Sequence, residues 1–293
     1  MDPVIEIHGV SRRFGDKVAL DDVSLVVPRG GVFGLVGPNG SGKTTLIKHS
    51  LGLFAPQTGT VRVFGLDPVR DPAGVLGRIG CLTEDNDLPG WMRVDEFLRY
   101  TRAFYPAWDD GYAGELVQSF ALDPVARLKN LSRGQRARVG LVAALAHKPD
   151  LLVLDEPSSG LDALVRRDIL GAVVRTVADE GRTVLFSSHL LDEVERVADR
   201  VAMIVRGRIA FAGPLEEVRA SHRRLTLRFP EPRPAPPALA EALAWEGAGR
   251  EWTAVCSGVS AAWCEGSELA GGRVVEDHAV RLDEIFVARA GKE

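Results

Sequence analysis

One stretch narrows the possible folds of this 293-residue chain more than any other: Gly37-Pro38-Asn39-Gly40-Ser41-Gly42-Lys43-Thr44-Thr45. Before it stands the apolar run Gly31–Val36, suited to a buried parallel strand, and after it residues 45–51 read as the opening of a helix. Strand, glycine-rich loop, Lys-Thr and helix is the setting in which this spacing cradles phosphate. The glycines let the backbone curl so that several N–H groups converge on one concavity at a helix N-terminus. A lysine in that position reaches the outer phosphates, and the hydroxyl after it holds a divalent cation. The plainer alternative is a tight turn that binds nothing. The flanking strand and helix favour the phosphate site.

The remaining pattern supplies an α/β frame around that loop. Residues 4–10 and 19–27 read as strands, with residues 11–17 between them as a polar turn that carries Phe14. Phe14 either packs beneath the hairpin or offers a flat platform for a base. Residues 58–65 and 79–82 read as further strands, the second running into the polar loop 83–88. Between about residues 94 and 129 apolar side chains recur at helical spacing, broken at Pro106 and at 109–111, which predicts a mostly helical insertion.

Ser132 is a suitable N-cap for the next helix, and Gly134 leaves the backbone exposed near its start. The run 151–154 is apolar on both faces and ends in Asp155-Glu156-Pro157. An acidic pair at the C-terminal end of a buried parallel strand lies where such sheets bind ligands. Two uncompensated carboxylates there are costly, so the pair implies a cation or a catalytic task. Residues 183–189 repeat the arrangement with His189 at the tip, although a lone histidine there is more often structural. A helix over 190–197, a strand over 200–205 and a hairpin over 207–214 complete this part.

Composition excludes several other classes. Hydrophobic residues make up 45% and charged residues 26%, ordinary for a globular protein. A net charge of −4 argues against a dedicated nucleic-acid binder, which presents a basic face. The cysteines, Cys81, Cys256 and Cys264, form no CxxC pair, and reduced thiols in a cytosolic protein are the simple reading. No segment reaches the roughly 20 apolar residues that span a bilayer, and no secretory signal is visible.

Four motifs in order carry a resemblance: GPNGSGKTT at 37–45, LSRGQ at 131–135, LLVLDEPSSGLD at 151–162 and SSHLLDE at 187–193. Over roughly residues 4–219 the chain resembles the ATP-binding subunit of an ABC transporter, of the drug-resistance exporter class. The resemblance implies a fold class: an α/β P-loop NTPase core with a RecA-like parallel sheet, an antiparallel β subdomain and a helical subdomain at about 90–145. That core is expected over residues 1–219. A small α+β accessory domain is expected over 220–293, behind a proline-rich linker at 230–237. In that tail, residues 225–229, 252–256 and 273–280 read as strands; residues 238–245 and 259–269, and a closing segment from Leu282, read as helices.

The resemblance also implies roles for particular residues. Phe14 stacks on adenine, and Gly37, Pro38, Asn39, Gly40, Ser41, Gly42, Lys43, Thr44 and Thr45 cradle the phosphates of ATP. Thr44, Glu84 and Asp155 hold Mg²⁺, Glu156 is the general base, and His189 contacts the γ-phosphate and water. Asp162 links the two nucleotide sites of a dimer, while Ser132, Gly134 and Gln135 close over nucleotide held by the other subunit. Three positions depart from the family pattern: Glu84 stands for the usual Gln, Arg133 for a Gly of the signature, and Ala163 for a common Pro. Glu84 adds negative charge beside the γ-phosphate, so hydrolysis or coupling is tuned differently; the other two changes are expected to leave function intact. The implied partners are a second copy, in an ATP-dependent head-to-tail dimer, and separate membrane permease subunits at the inner face of the cell membrane; no nucleic acid is implied. The alternative is an ABC ATPase acting on nucleic acid or ribosomes, which usually carries two cassettes in one chain or long insertions.

Overall fold

The computed structural model describes residues 2–84, 87–259 and 268–292, without the side chains of 176–180 and 292. The chain divides into two compact units, Met1–Ile209 and Ala210–Glu293.

The first unit is built on a six-stranded sheet. Its strands are β3 (Gly31–Val36), β5 (Ile79–Leu82), β6 (Leu151–Asp155), β7 (Thr183–Ser188), β8 (Arg200–Val205) and β9 (Arg208–Pro214), in the order β5-β6-β7-β3-β8-β9, and β9 runs on past Ile209, the last residue of this unit. The pairs from β5 through β8 are parallel. Every residue of β6 and β7 is buried, as expected of central strands covered on both faces. Asp155 lies opposite Ser187 in that register, so the polar ends of β6 and β7 meet. Helix α1 (Lys43–Ser50) follows β3, α6 (Ala163–Glu180) follows β6, and α7 (Leu191–Val197) follows β7. The motif-bearing loops therefore gather at the C-terminal edge of one parallel sheet.

A second, antiparallel sheet has the order β2-β1-β4, with β1 at Ile5–Phe14, β2 at Lys17–Val27 and β4 at Thr58–Val63. Residues 11–13, expected in a turn, belong to β1, and only Gly15–Asp16 turn the chain. Successive register shifts let β1 carry these polar residues along an exposed rim. Ile5, Ile7 and Leu20 of this sheet share one core with Leu35, Leu46, Ile47 and Leu151. The helical insertion contains α3 (Val94–Arg102) and α4 (Asp110–Ser119), followed by α5 (Arg133–Leu145). A short helix, α2 (Pro72–Leu76), also occurs, capped by Asp71.

The second unit holds a four-stranded antiparallel sheet with a core of its own. Its strands are β10 (His222–Arg233), β11 (Ala242–Ser257), β12 (Glu268–Leu269) and β13 (Gly272–Ala279), joined by helices α8 (Leu215–Ala220) and α9 (Leu282–Lys292). Leu225, Leu227, Phe229, Trp252, Ala254 and Val274 form the buried cluster. The compact unit begins at Ala210, ahead of the expected boundary at 219, since α8 packs on β10. Pro230 and Pro232 lie in the last turnings of β10, where its register shifts. Residues 238–245 are not helical: β11 starts at Ala242, and the Ser257 N–H donates to the Glu241 carbonyl, tying the segment to the sheet. Most of the helix expected over 259–269, with Cys264, lies outside the described residues; Glu268 and Leu269 form β12.

Candidate nucleotide site

The loop between β3 and α1 is shaped by two glycines. A Cβ at Gly37 would collide with the Ile204 carbonyl oxygen, so the loop runs against β8 where no other residue fits. Gly42 sits at φ 116°, a conformation that L-residues avoid, and turns the chain into α1 without a side-chain cap. Helix α1 thus presents its first N–H groups to the loop, where an anion is favoured. Around Gly40 the space is open, while the Ser41 hydroxyl at the loop's floor is buried and has no hydrogen-bond partner. A buried orphan hydroxyl beside a cation and a helix N-terminus fits a phosphate chain.

Lys43 is that cation. It is only 5% exposed, and its ammonium donates to the carbonyls of Gly37 at 2.7 Å and Pro38 at 3.3 Å. Its Nζ also stands 3.0 Å from Oε1 of Glu156, itself 6% exposed. The second oxygen, Oε2, accepts from the His189 backbone N–H at 3.2 Å and lies 2.6 Å from His189 Nδ1. Burial would raise the Glu156 carboxyl, but the His189 hydrogen bond and the Lys43 charge outweigh it and hold the group below its ordinary value. Glu156 adopts φ 48°, a strained conformation for a residue with a side chain. Its N–H bonds the carbonyl and the hydroxyl of Ser187, which hold the strained turn in place.

Asp155 is pushed up by burial, with hydrogen bonds from Ser187 and Thr44 working against the shift. Ser187 donates to Asp155 Oδ1 at 2.6 Å while accepting from Glu156 N at 3.0 Å, so one hydroxyl joins both acidic residues. Sequence reasoning gave Ser187 no role of its own. The signal was its position on β7, opposite the end of β6. Thr44 and Asp155 supply hard oxygen donors of the kind magnesium takes. Among the described residues there is no cluster of three or more His, Cys, Asp or Glu for a metal. Two protein oxygens completed by phosphate and water suit magnesium, which keeps much of its hydration.

Other residues singled out from sequence lie around this centre. Phe14 is 42% exposed at the end of β1, its edge against Phe54 with ring centres 5.5 Å apart and the Arg12 guanidinium 4.8 Å from its ring. It is not core packing. Ser132 and Gln135 form a reciprocal capping box at the start of α5, with bonds of 3.1 and 2.9 Å. Gly134 follows in the first turn, close against Val165 of α6. Asp162 caps α6 by accepting from the N–H groups of Leu164 and Val165, both at 3.0 Å. Glu84 lines a cavity of about 210 Å³ shared with Glu156, Pro157, Ser159, Arg133 and Arg136.

A phosphate-cradling loop, a buried lysine and an acidic strand end on a parallel sheet define a nucleotide-binding P-loop protein. Residues 20–159 match the family model described as ABC transporter. The chain is 36% identical over 232 residues to the daunorubicin resistance ATP-binding protein DrrA3 of Streptomyces coeruleorubidus, covering 75% of this chain and 71% of that protein. It is 34% identical to the ABC transporter ATP-binding protein NatA of Bacillus subtilis, covering 77% and 96%. A solved structure of the ATP-binding subunit of an ABC transporter superposes with TM-score 0.67 at 28% identity, over 74% of this chain and 92% of that one. A dimeric bacterial ABC transporter cassette superposes at 0.65 and 23% identity, over 72% and 98%, a likeness of fold. The chain belongs to the ABC transporter ATP-binding proteins, and it is an ATPase of that family. Among the described residues no helix is long and apolar enough to cross a membrane.

Proposed function

We propose that this chain is the energising half-site of an exporter, working as a pair of copies beneath separate membrane permease subunits. The continuous contact from Lys43 through Glu156 to His189 supports the reading best, because it joins an ammonium, a carboxylate and an imidazole, the three kinds of group that ATP hydrolysis would use here. Phosphoryl transfer to water asks mainly for positioning and charge stabilisation. Lys43 and the head of α1 bind and orient the triphosphate, and exposed Phe14 receives the base. Glu156, kept ionised, accepts the proton of an attacking water. His189 fixes the direction of that carboxylate and meets the outermost phosphate. Thr44 and Asp155, with Glu84, would hold Mg²⁺, which when bound supplies charge neutralisation at the phosphates. Ser132, Gly134 and Gln135 of the second copy would close over the same nucleotide. Export is supported by relatives named for daunorubicin resistance.

Glu156→Gln tests the core of this reading. Turnover is expected to fall about 10²- to 10⁴-fold with ATP still bound, the range for loss of a general base. Near-normal turnover in that variant removes Glu156 from the role. Purification from detergent-solubilised membranes is expected to recover an integral membrane protein with the chain; recovery with ribosomes or DNA instead would sink the transporter reading.

A further inference from the structure

Beside the contact of Glu156 with His189, a second bond joins the turn after β6 to helix α7. The Ser158 hydroxyl donates to Glu193 Oε2 at 2.6 Å. Both partners are buried, Ser158 at 2% exposure and Glu193 at 7%. The other oxygen, Glu193 Oε1, is buried too and has no hydrogen-bond partner among the described residues. A buried acid with an oxygen left unsatisfied costs stability that an apolar side chain would not. Stability therefore does not account for Glu193, whereas position does. Glu156 and Ser158 stand on one segment, His189 and Glu193 on the other, so the two bonds are neighbouring rungs. Only His189 and Leu190 separate the end of β7 from Leu191, the first residue of α7. How α7 sits thus decides where His189 stands. Val194 fixes α7 against β3, packed so tightly that Gly34 has no room for a Cβ. Ser158 fixes the first turn of α7 against the turn after Glu156. The His189 side chain is 36% exposed, and among the described residues its ring hydrogen-bonds Glu156 alone.

We propose that Ser158 and Glu193 are positioning residues for His189 in ATP hydrolysis. Their bond holds the first turn of α7 at the place from which His189 reaches Glu156. Without it the two-residue connection 189–190 swings with α7, and the imidazole leaves both the carboxylate and the outermost phosphate. Among the described residues, Lys43 pairs with Gly37, Pro38 and Glu156 and with neither Ser158 nor Glu193. The effect of the bond therefore falls on turnover and not on ATP affinity. The proposal rests on Glu156 and His189 having the roles proposed for them.

Stability and turnover together separate a positioning role from a structural one. The variants are Ser158→Ala, Glu193→Leu, the double change, and the conservative Ser158→Thr and Glu193→Gln. ATP turnover, ATP affinity, urea midpoints and NMR spectra of isotope-labelled histidine are measured in each, with the His189 signals assigned by His189→Gln. Ser158→Ala and Glu193→Leu are expected to lower kcat about 10- to 100-fold with ATP affinity held within about 2-fold, the cost of a small misplacement. Their His189 ring signals should lose the shift that the Glu156 bond imposes. Ser158→Thr and Glu193→Gln keep a donor and an acceptor, and should retain at least half of the original turnover. Ser158→Ala leaves a buried acid unpaired and should lower the urea midpoint. The double variant removes both polar groups, so its midpoint should return to the original value or rise above it. Its turnover and its His189 signals should stay as altered as in the single changes. Unchanged kcat in the single variants, turnover that returns with stability in the double variant, or unaltered His189 signals in Ser158→Ala overturns the proposal. If Glu156→Gln leaves turnover near normal, the catalytic reading fails instead. The His189 signals then still decide whether the bond places the imidazole, whether or not the isolated chain hydrolyses ATP.

Discussion

At the scale of single residues, the site depends on one hydroxyl as much as on its charged members. Ser187 is fully buried and satisfies both Asp155 and the Glu156 backbone. Ser187→Ala leaves an acid already raised by burial without one of its two hydroxyl donors, and loosens the strained turn at Glu156. Loss of about 1–3 kcal/mol is expected from the unsatisfied partners, read as a lower urea midpoint. Turnover should fall about 10- to 100-fold with ATP affinity little changed, the range for a group that orients catalytic ligands. Lys43→Ala acts differently. It removes a cation placed against both the loop carbonyls and Glu156, and ATP binding is expected to vanish in equilibrium dialysis.

At the scale of elements, legibility followed burial. The all-apolar runs of β6 and β7 announce central parallel strands, and the loop between β3 and α1 announces itself by its glycines. Residues 11–13 did not, because an exposed rim strand carries polar side chains and lacks the period-two pattern. The alanine-rich tract at 238–245 reads as helix by propensity, yet the bond from Ser257 to Glu241 and the positive φ of Gly247 and Gly249 commit it to β11. The nucleotide loop, the acidic strand end and His189 were readable in order, whereas the Ser187 bridge and the cavity joining Glu84 to Arg133 exist only through tertiary register. Helix α5 offers a test at this scale. Ser132→Ala breaks the capping box and should cost about 1 kcal/mol. In a chain of this size that lowers Tm by roughly 2–4 °C, measured by calorimetry. Gln135→Ala should add little beyond it, since both residues serve one motif.

At the scale of the whole molecule, two cores imply two folding units. The cluster of Leu46, Ile47 and Leu151 belongs to the first unit, and the cluster of Leu227, Phe229 and Trp252 to the second. Each buries its own apolar surface, which is the requirement for opening independently. Cys256 reports on the second unit alone: it is fully buried on β11, and burial pushes its thiol up to about 12. A thiol so buried and so weakly ionised is inert to alkylation, because the thiolate is the nucleophile. In a urea series, alkylation of Cys256, followed by peptide mapping, is expected to rise with unfolding of the second unit. Loss of ATP binding, which depends on Lys43 and the first core, should follow a separate midpoint. Coincidence of the two midpoints across the series, with equal denaturant dependence, would mean that the units unfold as one. Separate midpoints would place nucleotide binding in residues 1–209 without help from the accessory sheet, and a chain cut after Pro214, with β9 intact, should then still bind ATP.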